Sequence, residues 1–243
     1  MDEIWAIAGS TWRNVLRRKV IYFLIFCVWV LVGCALNYDI LTLGLEKNLL
    51  VDVSLMLSTI TAILTVVSVT FEIARELKNG EASNLLSKPL GRTHYLLGKM
   101  IGNMVVGFVL VALVALGSFV IFRMNYNDPL TRAMIQAQLL IMLSMAPMSA
   151  LGVLFAILLP EIVAPVVTAL IIWFGFSTGL LHSIPVLYGG ILPDLDIFNL
   201  KGCSVYHIWI PWSYVFKTLV LGVLNAAFIS SLASLIFSRK DIR

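Results

Sequence analysis

Side chains able to do chemistry are sparse in this chain, and most stand apart from one another. Met142, Met145 and Met148 repeat every third residue, and thioethers are ligands of a soft ion such as Cu(I). Inside an apolar run, however, methionine serves first as a pliable filler of gaps. His182 and His207 lack a nearby thiol or charge pattern to complete a metal site and read as ordinary interface histidines. Asp194 and Asp196, two apart in PDLDIF, solvate a loop, since nothing marks either as a catalytic acid or base. Cys27, Cys34 and Cys203 form no disulfide framework.

The ordered polar signal is a row of hydroxyls. Ser54, Ser58, Thr61, Thr65 and Ser68 follow a 4-3-4-3 spacing, which puts every one of them on a single helical face. The same register continues to Glu72 and then to Arg75. A weaker row of similar spacing holds Thr168, Gly175, Thr178 and His182. Small hydroxylated residues let membrane helices pack closely, and they also suit a transport path or a subunit interface. The spacing leaves both readings open.

Absent motifs narrow the function further. No G-x-x-x-x-G-K-[ST] occurs, and Gly98-Lys99 lacks the upstream glycine of a phosphate-binding loop. Six runs carry no Asp, Glu, Lys or Arg at all: Val20–Leu36, Val53–Phe71, Met100–Phe122, Ala133–Pro160, Ile162–Pro193 and Thr218–Ser238. Ion-coupled transporters and proton relays keep ionisable groups in such runs. Work done on a substrate therefore has to be powered by another polypeptide.

Those runs are also the elements that must position everything else. Hydrophobic residues make up 60% of the 243 and charged ones only 12%, about half the charged share of a soluble domain. A helix rises about 1.5 Å per residue, so about 20 residues cross a hydrocarbon core of about 30 Å. The sequence predicts an all-α polytopic membrane protein, one transmembrane domain over residues 1–243 with six spans, the fourth and fifth divided at Pro160-Glu161. Residues 2–18 read as an amphipathic interfacial helix, with Ile4, Trp5, Ala8, Trp12, Val15 and Leu16 apolar and Arg13 and Arg17 on another face. Six spans put both termini on one side together with 12 of the 17 basic residues, which makes that side cytoplasmic. Basic residues beside lipid headgroups account for the net charge of +4 without a nucleic-acid partner. No cleavable signal peptide is expected.

One charged insert breaks the apolar pattern: RELKNGEASNLLSKPLGR, residues 75–92. Each charge here would cost about 2.5–3.5 kcal/mol at mid-bilayer, so the segment is expected in water. Ala82, Leu85 and Leu86 predict a short helix, Pro89 its end, Gly91 a turn and Thr93 the cap of the next helix. A short helix tied to two spans can transmit a push.

Arg75-Glu76, Gly80, Leu85-Leu86-Ser87-Lys88-Pro89, Arg92 and Gly98-Lys99 together resemble the cytoplasmic loop of type 2 ATP-binding-cassette (ABC) permeases. Gly80 is followed by Glu81, where many relatives have threonine. The layout agrees: interfacial helix, six spans, a long outer segment (182–213) and a basic tail. The resemblance implies that residues 72–99 form a coupling loop docking into a separate ATPase subunit. In that picture Leu85, Leu86, Pro89 and their neighbours make the contact and Glu76 and Arg92 orient it, with Arg75, Gly80 and Ser87 in the same coupling set. It further implies a second permease subunit, as homodimer or heterodimer, with ATP and Mg bound by the partner and no cofactor in this chain. Export across a bacterial cytoplasmic membrane is the family's habit. In the family the second and fifth spans commonly line the interface, which assigns Ser54, Ser58, Thr61, Thr65, Ser68, Thr168 and Thr178 to a pathway or dimer interface. The outer segment resembles the family's re-entrant gate, and its Pro, Gly and aromatic mix fits broken helices at headgroup level. A membrane-embedded scaffold, a channel or a lipid-modifying enzyme without an ATPase partner is the competing class.

Overall fold

The computed structural model describes residues 2–17, 26–27, 29–31, 33–34, 46–80, 92–126, 132–176, 193–206 and 208–239. The regular elements among them are all helical: α1 (Asp2–Leu16), α2 (Glu46–Lys78), α3 (Arg92–Asn125), α4 (Arg132–Leu158), α5 (Val163–Phe176), α6 (Lys201–Val205) and α7 (Trp212–Arg239). A 3-10 turn at Asp196–Phe198 precedes α6. Four of these helices, α2, α3, α4 and α7, are long and apolar enough to cross a membrane, and α5 is a shorter apolar helix of 14 residues. Most of the first expected span and residues 177–192 lie outside the described residues.

The division expected at Pro160-Glu161 falls between α4 and α5. The boundaries of the charged insert differ from expectation. α2 stays helical to Lys78 and α3 is already helical at Arg92, so both ends of the expected 72–99 loop are continuations of the flanking helices. Glu, Leu, Lys and Arg are good helix formers and give the chain no reason to unwind where the apolar run stops. Gly80 supplies that reason: its φ of 72° is left-handed backbone that favours glycine just past a helix end. Thr93, expected as a cap, lies within the first turn of α3, where its hydroxyl pairs with that of Ser234 at 3.0 Å.

The helices pack around α4, which is buried along most of its length against α2, α3, α5 and α7. Small residues set the close approaches. A side chain on Gly152 would meet the Thr70 hydroxyl at 2.5 Å, and one on Gly222 would meet Phe198 at 2.9 Å. Met145 packs against Gly107, and Met148 accepts a hydrogen bond from the Ser144 hydroxyl at 3.3 Å, so these methionines fill space inside the bundle. By contrast α7 turns Leu221, Leu224, Phe228 and Leu235 outward, as a lipid-facing helix can.

α1 lies against the first turns of α3. Gly98 and Gly102 admit it: a side chain at Gly102 would meet the Thr11 Cβ at 2.8 Å. Among the described side chains of α1 the buried ones are accordingly Ala8, Thr11 and Val15, while Trp5, expected on the apolar face, is 66% exposed. Close backbone approach selects small side chains for the contact and leaves the indole outside.

Candidate functional site

Two ends of the bundle are distinguishable by their polar contacts. At one end meet the last turns of α2, the first turns of α3, the close of α1, the α4–α5 connection and the last turns of α7. Lys78 pairs with Glu161 at 2.8 Å, Thr93 with Ser234, and the Tyr95 ring stacks on Phe237 with centroids 6.4 Å apart. At the other end Asp52 pairs with Lys201 at 3.0 Å, and Gln136 donates to the Ile210 carbonyl at 3.1 Å. There Tyr214 donates to the Ile197 carbonyl at 2.8 Å, and the Lys47 ammonium sits 5.4 Å from the Tyr126 ring centroid.

The first end holds a buried ionic cluster. Lys99, with a side chain only 3% exposed, donates to Glu76 at 2.6 Å and lies 3.6 Å from Glu72. Tyr95 donates its hydroxyl to the second Glu76 oxygen at 2.6 Å, and Asn14 of α1 donates to Glu72 at 3.1 Å. Local sequence explains the geometry. Glu72 and Glu76 are four apart on α2, and Tyr95 and Lys99 four apart on α3, so each pair occupies one face and the two helices meet acid to base. Asn103 extends the α3 face by one more turn and is buried, with neither amide atom hydrogen-bonded among the described residues.

This placement corrects the expectation that these acids stand in water. Glu72 and Glu76 are largely buried because protein groups replace water as their partners, and each ion has at least two contacts to offset desolvation. Chemically the cluster is a brace. It ties the last turns of α2 to the first turns of α3, and so fixes both roots of the segment 81–91, while Asn14 brings α1 into the same joint.

The remaining expected site residues are distributed as follows. Arg75 is exposed, Gly80 ends α2, and Arg92 opens α3; Leu85, Leu86, Ser87 and Pro89 lie outside the described residues. Ser54, Ser58, Thr61 and Thr65 are buried among this chain's own helices. Three of them bond backward to their own helix: Ser54 to the Val51 carbonyl, Thr61 to Leu57 and Thr65 to Thr61. Thr168 is likewise buried and donates to Ala164, while Thr178 lies outside the described residues. Ser68 lines an open apolar groove, with Val67 and Phe71 on α2 and Pro165, Val166, Ala169 and Leu170 on α5. Sequence reasoning named Glu72, Glu76 and Lys99 separately, passed over Asn14 and Tyr95, and did not join the five as one unit. The mirrored four-residue spacing of acids before the insert and of Tyr and Lys after it was the available signal.

Residues 40–193 match the family model described as "Multidrug efflux system permease Rv1217c, C-terminal domain". That interval holds α2 to α5, and with them Glu72, Glu76, Tyr95 and Lys99. No curated protein matches the chain.

Proposed function

This chain belongs to the family of the multidrug efflux system permease Rv1217c, an ABC permease family, and from that premise we propose that it is the membrane subunit of an ABC exporter. The observation that carries this reading is the Lys99–Glu76–Tyr95 brace, which roots both sides of residues 81–91 in the bundle. A segment so rooted acts as a coupling element. Displacement of 81–91 by an ATPase is passed to α2 and α3 as movement of whole helices, because a hydrogen-bonded helix does not absorb a push in its last turn.

The finer picture follows from the same premise. On the six-span reading the braced end, with both termini, faces the cytoplasm at the cytoplasmic membrane, in keeping with the bias of basic residues. Leu85, Leu86, Pro89 and their neighbours meet the ATPase, which binds ATP and Mg; Arg92 and the braced Glu76 orient the contact. The groove beside Ser68, between α2 and α5, is where a second permease subunit or an apolar substrate meets the chain. Small amphiphilic compounds of the multidrug type are the substrate class, and the segment before α7 serves as the outer gate.

Purification in mild detergent with the candidate ATPase co-expressed tests this. The wild-type chain retains the ATPase, and Leu86→Asp loses it while still inserting in the membrane. Equal ATPase recovery with both, and equal transport, would overturn the assignment.

A further inference from the structure

At the end of the bundle away from the Lys99 brace, a cavity of about 220 Å³ lies between α2, α5 and the chain leading into α6. Its apolar wall is Met56, Ile60, Trp173 and Phe176; Thr59 and Lys201 supply polar groups. The Asn199 amide donates to the Phe176 carbonyl at 3.0 Å and so holds the α6 approach against the end of α5. The volume falls short of the about 300–1,000 Å³ of a drug-sized site, which suits one flexible chain better than a ring system.

Charge decides what sits at the mouth. Asp52 precedes Met56 by one helical turn on α2 and pairs with Lys201 at 3.0 Å, and the two side chains are 44% and 34% exposed. Such a pair is worth only about 0–1 kcal/mol, so it opens readily to a ligand. The Lys201 ammonium also has three N–H donors, one of which Asp52 uses. An acid and a base therefore stand side by side above an apolar slot. An anionic head would be attracted by Lys201 and repelled by Asp52, and a cationic head the reverse. A head bearing both charges a few atoms apart satisfies the two at once.

We infer that this cavity binds a zwitterionic phospholipid of the surrounding membrane, one with a primary amine. The phosphate meets Lys201, the ammonium meets Asp52, and an acyl chain enters the slot beside Trp173. The site belongs to this chain alone and needs neither the ATPase nor transport, so it stands or falls separately from the function proposed above.

Tryptophan fluorescence reads it directly. The full-length chain in a non-ionic detergent is titrated with lysophosphatidylethanolamine brominated on its acyl chain, with lysophosphatidylcholine and lysophosphatidylglycerol of the same chain as comparisons. The Trp173→Phe variant isolates the signal of the indole in the cavity from the other five of the chain's six tryptophans. Expected is saturable quenching of Trp173 at the lowest concentration for the ethanolamine lipid. Lys201→Gln should weaken all three phosphate-bearing probes by about tenfold, the worth of one charge-assisted hydrogen bond. Asp52→Asn should weaken the ethanolamine probe most, because its N–H donors lose their charged acceptor, and so abolish its preference; a preference for ethanolamine that survives Asp52→Asn would overturn the inference. Equal quenching by all three head groups, or unchanged affinities in Lys201→Gln, would overturn the inference. Should Lys201→Gln fail to elute as a single folded species, the Asp52→Asn result decides alone.

Discussion

Two buried residues a single turn apart on α3 make opposite predictions. Lys99 is held by two carboxylates at 2.6 and 3.6 Å and is almost fully enclosed. Lys99→Met would leave Glu72 and Glu76 buried without their common cation, a loss of about 3–5 kcal/mol. Thermal unfolding in detergent checks this, since each kcal/mol moves Tm by about 2–4 °C in a domain of this size. Tyr95→Phe removes one donor from Glu76 while keeping the ring against Phe237, and should cost about 1.5–3 kcal/mol. Asn103 is the contrary case. Its amide is buried without a hydrogen-bond partner among the described residues, so Asn103→Leu removes an unmet desolvation penalty of about 1–3 kcal/mol and should raise Tm. A drop in Tm for Asn103→Leu comparable to that of Lys99→Met would show that the asparagine is satisfied after all.

Among the elements, the seat of α1 on α3 depends on two glycines rather than on the apolar face that periodicity suggests. A side chain at Gly102 would press on Thr11 and on the Ala8 backbone, at 2.8 and 3.1 Å. Gly102→Val should therefore lift α1 away at a cost of about 1–3 kcal/mol, as overpacking does elsewhere. Lifting α1 also withdraws Asn14 from Glu72. Limited trypsin digestion reads the change, because Arg13 and Arg17 should be cut several-fold faster once α1 no longer packs; unchanged cutting would place the stability of α1 elsewhere. This joint shows what a single sequence reveals and what it hides. The existence of α1, α2, α3, α4 and α7 was legible because each is a long run with one dominant property, apolar or amphipathic. The break at Pro160-Glu161 was legible for the same reason. Which side of α1 would be buried was not, because Gly98 and Gly102 look like generic small residues until a partner is known. The ionic brace was hidden by a sound argument applied too broadly. Charges are expensive in lipid, but Glu72, Glu76 and Lys99 escape lipid by meeting each other, and pairing across an insert leaves only the mirrored spacing as a trace. Nor did the spacing of Ser54 to Thr65 decide between packing and pathway, since both uses place hydroxyls on one face; burial by the chain's own helices favours packing for those four.

At the scale of the whole molecule, the two polar ends define an axis that any transport reading must respect. The brace, Glu161 and the end of α7 gather at one end, and the Asp52–Lys201 pair, Ile210 and the start of α7 at the other. The helices α2, α3 and α4 run between these ends in alternating direction, since Asp52 and Lys78, Thr93 and Tyr126, and Gln136 and Glu161 make their contacts at opposite ends in turn. If the axis is the membrane normal, a membrane-impermeant reagent reaches one group and not the other. Cys203, in α6, is a native thiol at the far end, and Ser238→Cys places a second at the braced end. With Cys27 and Cys34 replaced by serine, intact cells treated with an impermeant maleimide should label Cys203. The variant carrying Ser238→Cys together with Cys203→Ser should be labelled only after permeabilisation. Labelling of both thiols in intact cells would mean that the two ends share one aqueous face. The brace would then be a joint within the bundle with no reach to an ATPase in the cytoplasm, because the same axis carries both the sidedness and the proposed coupling.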